Sequence, residues 1–312
     1  MTIAEREFRA LVTAPIGFVV MMFFLFVSSV FFVAPLQQNV ASMRYVVGNT
    51  VIWLVFLLPA LTMRLIAEEK KTGTIELLMT SPVTETQVVM GKYLGVLAYY
   101  AVILFAMLQF VFVMAWVRKS DGNPFFPTYA GLLLTAAALV MLTLAALQDN
   151  KGPWIATGVL MIGTIVCAGF AAKEMGEWGP VLTGYLGLLM LGAVFLAIGL
   201  LMSSLTRNQI IAWVSTAAVL LMMTVLIAWL TGNMPSSPPT LEANPNLGTY
   251  IGFGIQWIVY GLGQILQALN LQAYLENFAQ GVLDLRDFVL YLSLIAVSLF
   301  FAVRGLTTLR AS

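Results

Sequence analysis

The stretch that decides the fold is an apolar run that opens into a charged segment. Residues 46–63 read VVGNTVIWLVFLLPALTM, and residues 64–92 read RLIAEEKKTGTIELLMTSPVTETQVVMGK. The first run carries no charge and is close to the roughly 20 residues that a helix needs to cross the hydrocarbon core of a bilayer. The second is rich in Lys and Glu and belongs in water. We therefore predict a membrane-spanning helix that runs out of the bilayer through Arg64 to a charged end at Glu68–Lys71 and leads into an exposed segment.

Composition extends this interpretation to the whole chain. Of the 312 residues, 61% are hydrophobic and 9% are charged, against about 25% charged in soluble domains. A water-soluble fold of this size cannot cover so much apolar surface. The sequence therefore predicts an all-α polytopic membrane protein whose residues 1–312 form a single transmembrane domain in the lipid bilayer. The net charge of +1 and the absence of a basic cluster give no indication of nucleic acid.

Residue types that are missing exclude several kinds of site. The chain has no histidine, which excludes imidazole acid–base catalysis and His-ligated metals. Its single cysteine, Cys167, excludes an intrachain disulfide and lies in an apolar run, where we expect a small buried hydrophobe. We expect no catalytic residues, no metal site and no cofactor in this chain.

Eight apolar runs are long enough to span a bilayer. They are Ile16–Val33, Val46–Met63, Leu94–Val117, Tyr129–Leu147, Trp154–Ala171, Leu182–Ser204, Ile210–Leu230 and Phe288–Val303. We interpret the first as a retained span rather than a signal peptide, because it is long and no convincing cleavage site follows it.

A ninth apolar stretch, Tyr250–Leu271, contains several glutamines and glycines. Eight spans with a cytoplasmic N-terminus place ten of the Lys and Arg residues inside and five outside, as the positive-inside rule expects. A ninth span would narrow this split to nine against six. We therefore predict that Tyr250–Leu271 is a re-entrant or surface-lying element on the outer side, and that both termini are cytoplasmic.

The residues before the first span have a helical pattern with two faces. Apolar side chains share one face and charged side chains the other: Ala4, Phe8, Leu11 and Val12 against Glu5, Arg6 and Arg9. This pattern favours a short helix lying in the inner membrane interface. A disordered tail is the alternative.

The charged segment has the pattern of a short helix between two turns. Gly73 suits a C-terminal cap, and Ser81-Pro82 suits the start of a new helix. Between them, Ile75, Leu78 and Met79 fall at i, i+3 and i+4 and form an apolar face opposite Glu76. Such a helix would suit docking into a groove on a soluble partner. The alternative is an ordinary charged loop.

This segment resembles the ABC-2 permease family. The residues that carry the resemblance are Leu61 to Glu69, Gly73-Thr74, Glu76 to Leu78, Ser81 to Val83 and Gly91-Lys92. Further stretches are similar to the gliding-motility-type branch of that family: Glu177 to Pro180, Gly184 to Gly187, Ala197 to Gln209 and Glu276 to Asp287. Members of that branch usually have six spans, so residues 129–172 resemble an inserted pair added to a six-span core.

The resemblance implies a permease subunit that couples ATP hydrolysis by a separate ABC ATPase subunit to substrate export across a bacterial inner or plasma membrane. Its partners would be ATPase subunits, which bind the ATP and Mg, and a second permease copy or related permease that completes a dimer. The coupling residues would be Glu68, Glu69, Gly73, Thr74, Glu76, Leu77, Leu78, Ser81 and Pro82. A second cytoplasmic contact would comprise Thr206, Arg207, Asn208 and Gln209, for which a helix-terminating turn is the alternative.

The sequence also limits what this chain does. A phosphate-binding loop needs G-x-x-x-x-G-K-[ST], and Gly91-Lys92 lacks both the upstream glycine and the following hydroxyl. The ATPase is therefore expected in another chain. A structural anchor or motor component of a larger gliding or secretion assembly shares these features and is an alternative function. A membrane enzyme would need convergent acids, bases or metal ligands, for which Glu276, Asp284 and Asp287 are the best candidates. For that trio a solvated loop is the simpler interpretation.

Overall fold

The computed structural model describes residues 2–37, 43–74, 83–118, 126–148, 151–175, 178–235, 237–240, 247–267 and 269–310. In these ranges the regular structure is helical and contains no strand. Because a bilayer offers no water to backbone N–H and C=O groups, apolar spans satisfy them within helices. The prediction of an all-α polytopic membrane protein is confirmed.

The helices follow one another along the described chain. They are α1 (Ile3–Thr13), α2 (Pro15–Gln37), α3 (Met43–Thr62), α4 (Ala67–Thr72), α5 (Glu85–Met107), α6 (Gln109–Arg118), α7 (Phe126–Leu147), α8 (Lys151–Met175), α9 (Trp178–Leu205), α10 (Gln209–Leu221), α11 (Ile227–Gly232), α12 (Leu247–Gln267), α13 (Leu271–Ala279) and α14 (Leu285–Arg310). A π-helical turn, Met222–Leu226, joins α10 to α11.

Eight segments of the described chain are long and apolar enough to cross a membrane, as the sequence predicts. They are Pro15–Val33, Tyr45–Thr72, Glu85–Val117, Ala130–Leu147, Gly152–Lys173, Gly179–Leu205, Gln209–Gly232 and Leu285–Thr307. The ambiguous ninth stretch forms the continuous helix α12 and is not among them. Its re-entrant or surface-lying placement stays a prediction.

Three helices form the centre of the bundle. The most apolar window of the α9 span is 72% buried, and those of the α3 and α5 spans are 67% buried. The windows of the other five spans are only 28–33% buried, so most of their residues face outward. α9 packs against α3, α5, α13 and α14. α9 and α5 therefore contact most of the other helices in the bundle.

Small residues on α9 allow its neighbours to approach closely. A Cβ at Gly192 would overlap the ring of Tyr100 on α5, and a Cβ at Gly199 would overlap Thr62 on α3. The Tyr100 hydroxyl donates to the Leu188 carbonyl of α9 at 2.7 Å. These small residues on α9 thus form a packing surface.

The second span is not continuous, contrary to the prediction that its helix runs through Arg64 to the charged residues. α3 ends at Thr62, residues 63–66 form turns, and α4 starts at Ala67. The third span has a similar break at Leu108, between α5 and α6. The sequence pattern missed both breaks because neither residues 63–66 nor Leu108 includes the glycine or proline that usually marks a helix end.

The predicted extra pair forms a helical hairpin, since α7 and α8 pack extensively on each other. This hairpin also contacts α1 and α6. Trp154, near the start of α8, lies 6.1 Å from the ring of Phe8 on α1, and the Arg9 guanidinium lies 5.3 Å from the Trp154 ring centroid. The pair therefore supports the N-terminal helix as well as the spans.

Near the start of α9, two of the stretches that resemble the gliding-motility-type branch pack against each other. The Thr183 hydroxyl donates to the Phe278 carbonyl at 2.5 Å, and a Cβ at Gly187 would lie 2.7 Å from Phe278 Cβ. The Asn277 amide donates to the buried Asp287 carboxylate at 3.2 Å. Asp284 accepts from the backbone N–H of Arg286 at 3.0 Å. Both aspartates thus make local structural hydrogen bonds.

Candidate functional site

The N-terminal helix is placed against α5 by two glycines. A Cβ at Gly91 would lie 2.8 Å from Ile3 Cβ, and a Cβ at Gly95 would lie 2.7 Å from the Ala4 carbonyl oxygen. The Thr2 hydroxyl caps α1 by accepting from the Glu5 N–H at 3.3 Å. The predicted N-terminal helix is therefore confirmed, and the disordered tail is wrong. Its position in a membrane interface stays a prediction.

Close contact between α1 and α5 brings Glu7 to Lys92. Lys92 is 1% exposed, and its ammonium lies 2.9 Å from Glu7 Oε1 and 2.7 Å from Glu69 Oε1. Arg6 approaches the same carboxylates at 3.3 Å and 3.8 Å. Since a buried lysine needs a partner to stay charged, these contacts link α1, α4 and α5. We call Glu7, Glu69 and Lys92 the charged triad.

A serine on α9 supplies hydrogen-bond partners to the backbone groups in the break between α3 and α4. The fully buried Ser203 hydroxyl accepts from the backbone N–H groups of Ile66 at 3.2 Å and Ala67 at 3.1 Å. The same hydroxyl donates to the Met63 carbonyl at 3.2 Å. These backbone groups lie at a helix end, where intrahelical partners are missing. α4 is thus held by α9.

A second contact strengthens this attachment. The Lys70 ammonium donates to the Ser204 carbonyl at the C-terminal end of α9. A cation at a helix C-terminus interacts favourably with the unsatisfied carbonyls and the helix dipole. α4 therefore has electrostatic contacts with α5 and α1 on one side and with α9 on the other.

Replacing Ser203 with alanine should lower the free energy of unfolding by about 1–2 kcal/mol, because two buried N–H groups and one carbonyl lose their partner. Thermal unfolding of the purified protein in detergent measures the change. Ser204→Ala is the matched control, since that hydroxyl donates to Leu201 of its own helix at 2.7 Å. Equal losses in both variants would contradict the assignment.

Of the residues predicted for coupling, those that the structure describes lie on and just after α4. Arg64 pairs with Glu68 one turn along at 2.8 Å. Gly73 has φ of 73° and caps α4 in the left-handed conformation, which confirms the predicted C-cap. The Thr74 hydroxyl lies 2.9 Å from the Thr72 hydroxyl.

The remaining predicted coupling residues, and the apolar face with them, lie outside the described residues: Ile75, Glu76, Leu77, Leu78, Met79, Ser81 and Pro82. The chain is described again from Val83, and Thr84 forms a capping box with Gln87 at the start of α5. The 75–82 segment thus joins α4, held by α9 and the charged triad, to a well-capped α5.

The second predicted contact, residues 206–209, forms the turn between α9 and α10. Asn208 caps α10 by accepting from the Ile210 N–H at 2.9 Å. Arg207 and Asn208 are exposed, whereas Thr206 and Gln209 are half-buried. The interpretation as a helix-terminating turn is confirmed, and a role in partner contact stays a prediction.

A cavity of about 350 Å³ lies beside the charged triad, between α1, α3, α4 and α5. Residues of both polar and apolar character line it, among them Glu7, Ala10, Leu61, Arg64, Glu69 and Lys92. Glu69 Oε2 is buried and accepts no hydrogen bond within the described part of the chain. The cavity is therefore lined by charged residues of α1, α4 and α5 and by Thr74, the last described residue after α4.

Sequence reasoning did not include Glu7, Lys92 or Ser203 in the site. One signal was available for Lys92, which precedes the apolar run Leu94–Val117 by only two residues. A charge so near a span needs a partner. The identity of that partner depends on how α1 folds back, which the local pattern does not contain.

Comparison with known families gives one match. A family model described as "ABC-2 family transporter protein" matches residues 1–148. The matched range runs from α1 to α7 and includes the charged triad and residues 64–92. No curated protein matches the chain. Assignment to the gliding-motility-type branch stays a prediction.

Proposed function

We propose that this chain is the permease subunit of an ABC transporter and that it couples ATP hydrolysis by a separate ATPase subunit to export. The family match over residues 1–148 supports a membrane permease component, and so do the eight apolar spans. The observation that carries the coupling role is the charged triad, which ties the helices on both sides of residues 75–82 to each other.

The proposed mechanism begins at residues 75–82, where the ATPase subunit docks. ATP binding on that subunit moves the segment, and the movement reaches α4 on one side and α5 on the other. α4 cannot follow alone, because Ser203 and Lys70 attach it to α9. The displacement is therefore carried to α5 and α9, two of the three most buried spans.

In the proposal, some coupling residues stabilise α4 and its end, and the others contact the ATPase subunit. Gly73 ends α4 in a conformation that other residues adopt with strain, which fixes the direction of the following chain. Glu69 joins α4 to Lys92, and Glu68 joins it to Arg64. In the proposal, the residues that contact the ATPase subunit are Thr74, Glu76, Leu77, Leu78, Ser81 and Pro82.

The complete transporter needs further chains. Two ATPase subunits would bind the ATP and Mg, and a second permease copy or a related permease would supply the other membrane half. With an even number of spans, both termini lie on the same side, which we propose is the cytoplasmic side of a cell membrane. The eight apolar runs predicted as spans contain no charged residue, which favours a lipidic or amphipathic cargo.

Replacing Leu78 with aspartate should abolish stable association with the ATPase subunit, because a charge on the apolar docking face must be desolvated at the interface. Co-purification of the ATPase subunit and its activity in the isolated complex measure the effect. Leu283→Asp is the control, since Leu283 is exposed in the turn before α14, at the other end of the bundle. Full association and activity in Leu78→Asp would refute the coupling role.

Reconstitution of the complex in vesicles distinguishes a transporter from the alternative, a structural anchor. A transporter in vesicles should show ATPase activity that its cargo stimulates, whereas an anchor should be indifferent to every amphipathic compound offered. Lack of stimulation with ATPase binding intact would leave the coupling contacts in place and remove the export assignment.

A further inference from the structure

A cavity with almost entirely apolar walls lies between α5, α8 and α9, distant in sequence from the charged triad. Its volume is about 370 Å³, within the range of roughly 300–1,000 Å³ that ligand sites occupy. Its lining includes Leu104, Leu108, Ile165, Ala168, Val181 and Tyr185. One wall comes from the hairpin α7–α8, so the site does not exist without that added pair.

One polar atom in this cavity's lining is unusual. The Tyr185 hydroxyl is buried and makes no hydrogen bond with the described residues. In contrast, the buried tyrosines Tyr93, Tyr100 and Tyr291 each donate to a backbone carbonyl, at 3.1, 2.7 and 3.1 Å. A buried phenol normally finds an acceptor. The Tyr185 hydroxyl therefore indicates an acceptor that the described residues do not supply.

Exposed apolar residues at the edge of the cavity lie on faces of the spans that lipid would cover in a bilayer. Ile165 and Leu182 contribute to its lining, yet they are 57% and 58% exposed on the outside of two spans. Apolar cavities of this kind do not hold water well. Hydrocarbon from the surrounding bilayer is thus the occupant that the opening admits.

The depth of the Tyr185 hydroxyl in the membrane indicates which lipid group accepts its hydrogen bond. Tyr185 lies six residues after the start of the span Gly179–Leu205, roughly 9 Å along the helix. That span is roughly 40 Å long, while the hydrocarbon core is only about 30 Å thick. Because a helical side chain leans toward the N-terminus, the hydroxyl reaches the edge of the core. The ester carbonyls of glycerolipids lie at this level.

From these observations we infer that the cavity binds one acyl chain of a bilayer glycerolipid and that the Tyr185 hydroxyl donates a hydrogen bond to its ester carbonyl. The acyl chain fills the apolar walls, and the ester satisfies the buried phenol. The ligand thereby joins the α7–α8 hairpin to the central helices α5 and α9. This inference is independent of the proposed export function.

Photolabelling tests where the acyl chain lies. The full-length protein is reconstituted in phosphatidylcholine vesicles that contain phosphatidylcholine with a diazirine on one acyl chain, and labelled residues are mapped by peptide mass spectrometry. We expect labelling of the cavity residues Ala168, Ala172, Tyr185 and Leu189 to exceed that of the outward-facing residues Ile155, Val159 and Ile162 severalfold. Equal labelling of all these residues would show ordinary lipid contact and overturn the inference.

A substitution that fills the cavity with a larger side chain provides a second test. Ala168 is 5% exposed and lines the cavity, whereas Val159 on the same helix is 65% exposed. Ala168→Phe should lower cavity labelling at least about fivefold, since the ring takes the space of the chain, while Val159→Phe should leave it unchanged. Undiminished labelling in a folded Ala168→Phe protein contradicts the inference.

An isosteric variant tests the hydrogen bond without relying on Ala168→Phe folding. In the detergent-purified protein, Tyr185→Phe should weaken retention of ester-linked phosphatidylcholine about two- to tenfold, the value of one hydrogen bond. Retention of the diether analogue, which has no carbonyl, should not change. If both lipids respond alike, or neither responds, the assigned hydrogen bond is wrong.

Discussion

Replacing Lys92 with methionine should lower the free energy of unfolding by about 2–4 kcal/mol, because the variant leaves two carboxylates facing each other without their shared cation. Glu7 and Glu69 are 15% and 21% exposed at their side chains. Their partial contact with solvent, and Arg6 beside them, place the effect below that of a fully buried unpaired charge. Unfolding of the detergent-solubilised protein, followed by temperature or denaturant, measures this loss.

Lys71→Met is the matched control for Lys92→Met. Lys71 lies in the same charged segment but is exposed, so its removal should change stability little. Adding Glu7→Gln and Glu69→Gln to Lys92→Met should restore part of the loss, since the repelling charges are then gone. A Lys92→Met protein as stable as Lys71→Met would show that the triad contributes nothing.

Replacing Gly192 with alanine should lower the free energy of unfolding by about 2–3 kcal/mol, because the added methyl meets the ring of Tyr100 and overpacks the interface between α5 and α9. The ring cannot easily withdraw. Tyr100 is fully buried, and its hydroxyl is fixed by the bond to Leu188. The same unfolding measurement applies.

Gly158→Ala is the control for this substitution, since a Cβ at Gly158 meets no atom within 4 Å. Alanine there should be neutral or slightly stabilising, because it is the better helix former. Combining Gly192→Ala with Tyr100→Leu should cost less than the sum of the two single changes, as expected for residues in contact. Additive losses, or equal effects at positions 158 and 192, would argue against this packing.

Much of the fold could be predicted from runs of apolar residues. A span is a local property, so composition alone located all eight. The cap at Gly73 and the N-terminal helix were also predictable, because left-handed caps favour glycine and two-faced helices have a short period. These features depend on neighbours within a few residues.

The contacts that join one helix to another could not be predicted from runs of apolar residues. The break after Thr62 is stabilised by Ser203, about 140 residues away in the sequence, and Lys92 finds Glu7 only because Gly91 and Gly95 let α1 approach. Such contacts arise from tertiary packing, which periodicity does not report. The residues predicted for coupling were those of a recognisable segment, whereas the residues that hold α4 in place (Glu7, Lys92 and Ser203) are scattered along the chain.

Burial of the charged triad also determines how ionic strength affects this end of the protein. Salt screens exposed pairs such as Arg64–Glu68, whose side chains are 46% and 37% exposed, over a Debye length of about 8 Å at physiological concentration. The Lys92 side chain is 2% exposed, and mobile ions do not readily reach its contacts. A salt concentration that weakens the exposed pairs will therefore leave α1, α4 and α5 joined, so a permease separated by a salt wash from the ATPase subunit that we propose should keep the arrangement around residues 64–74.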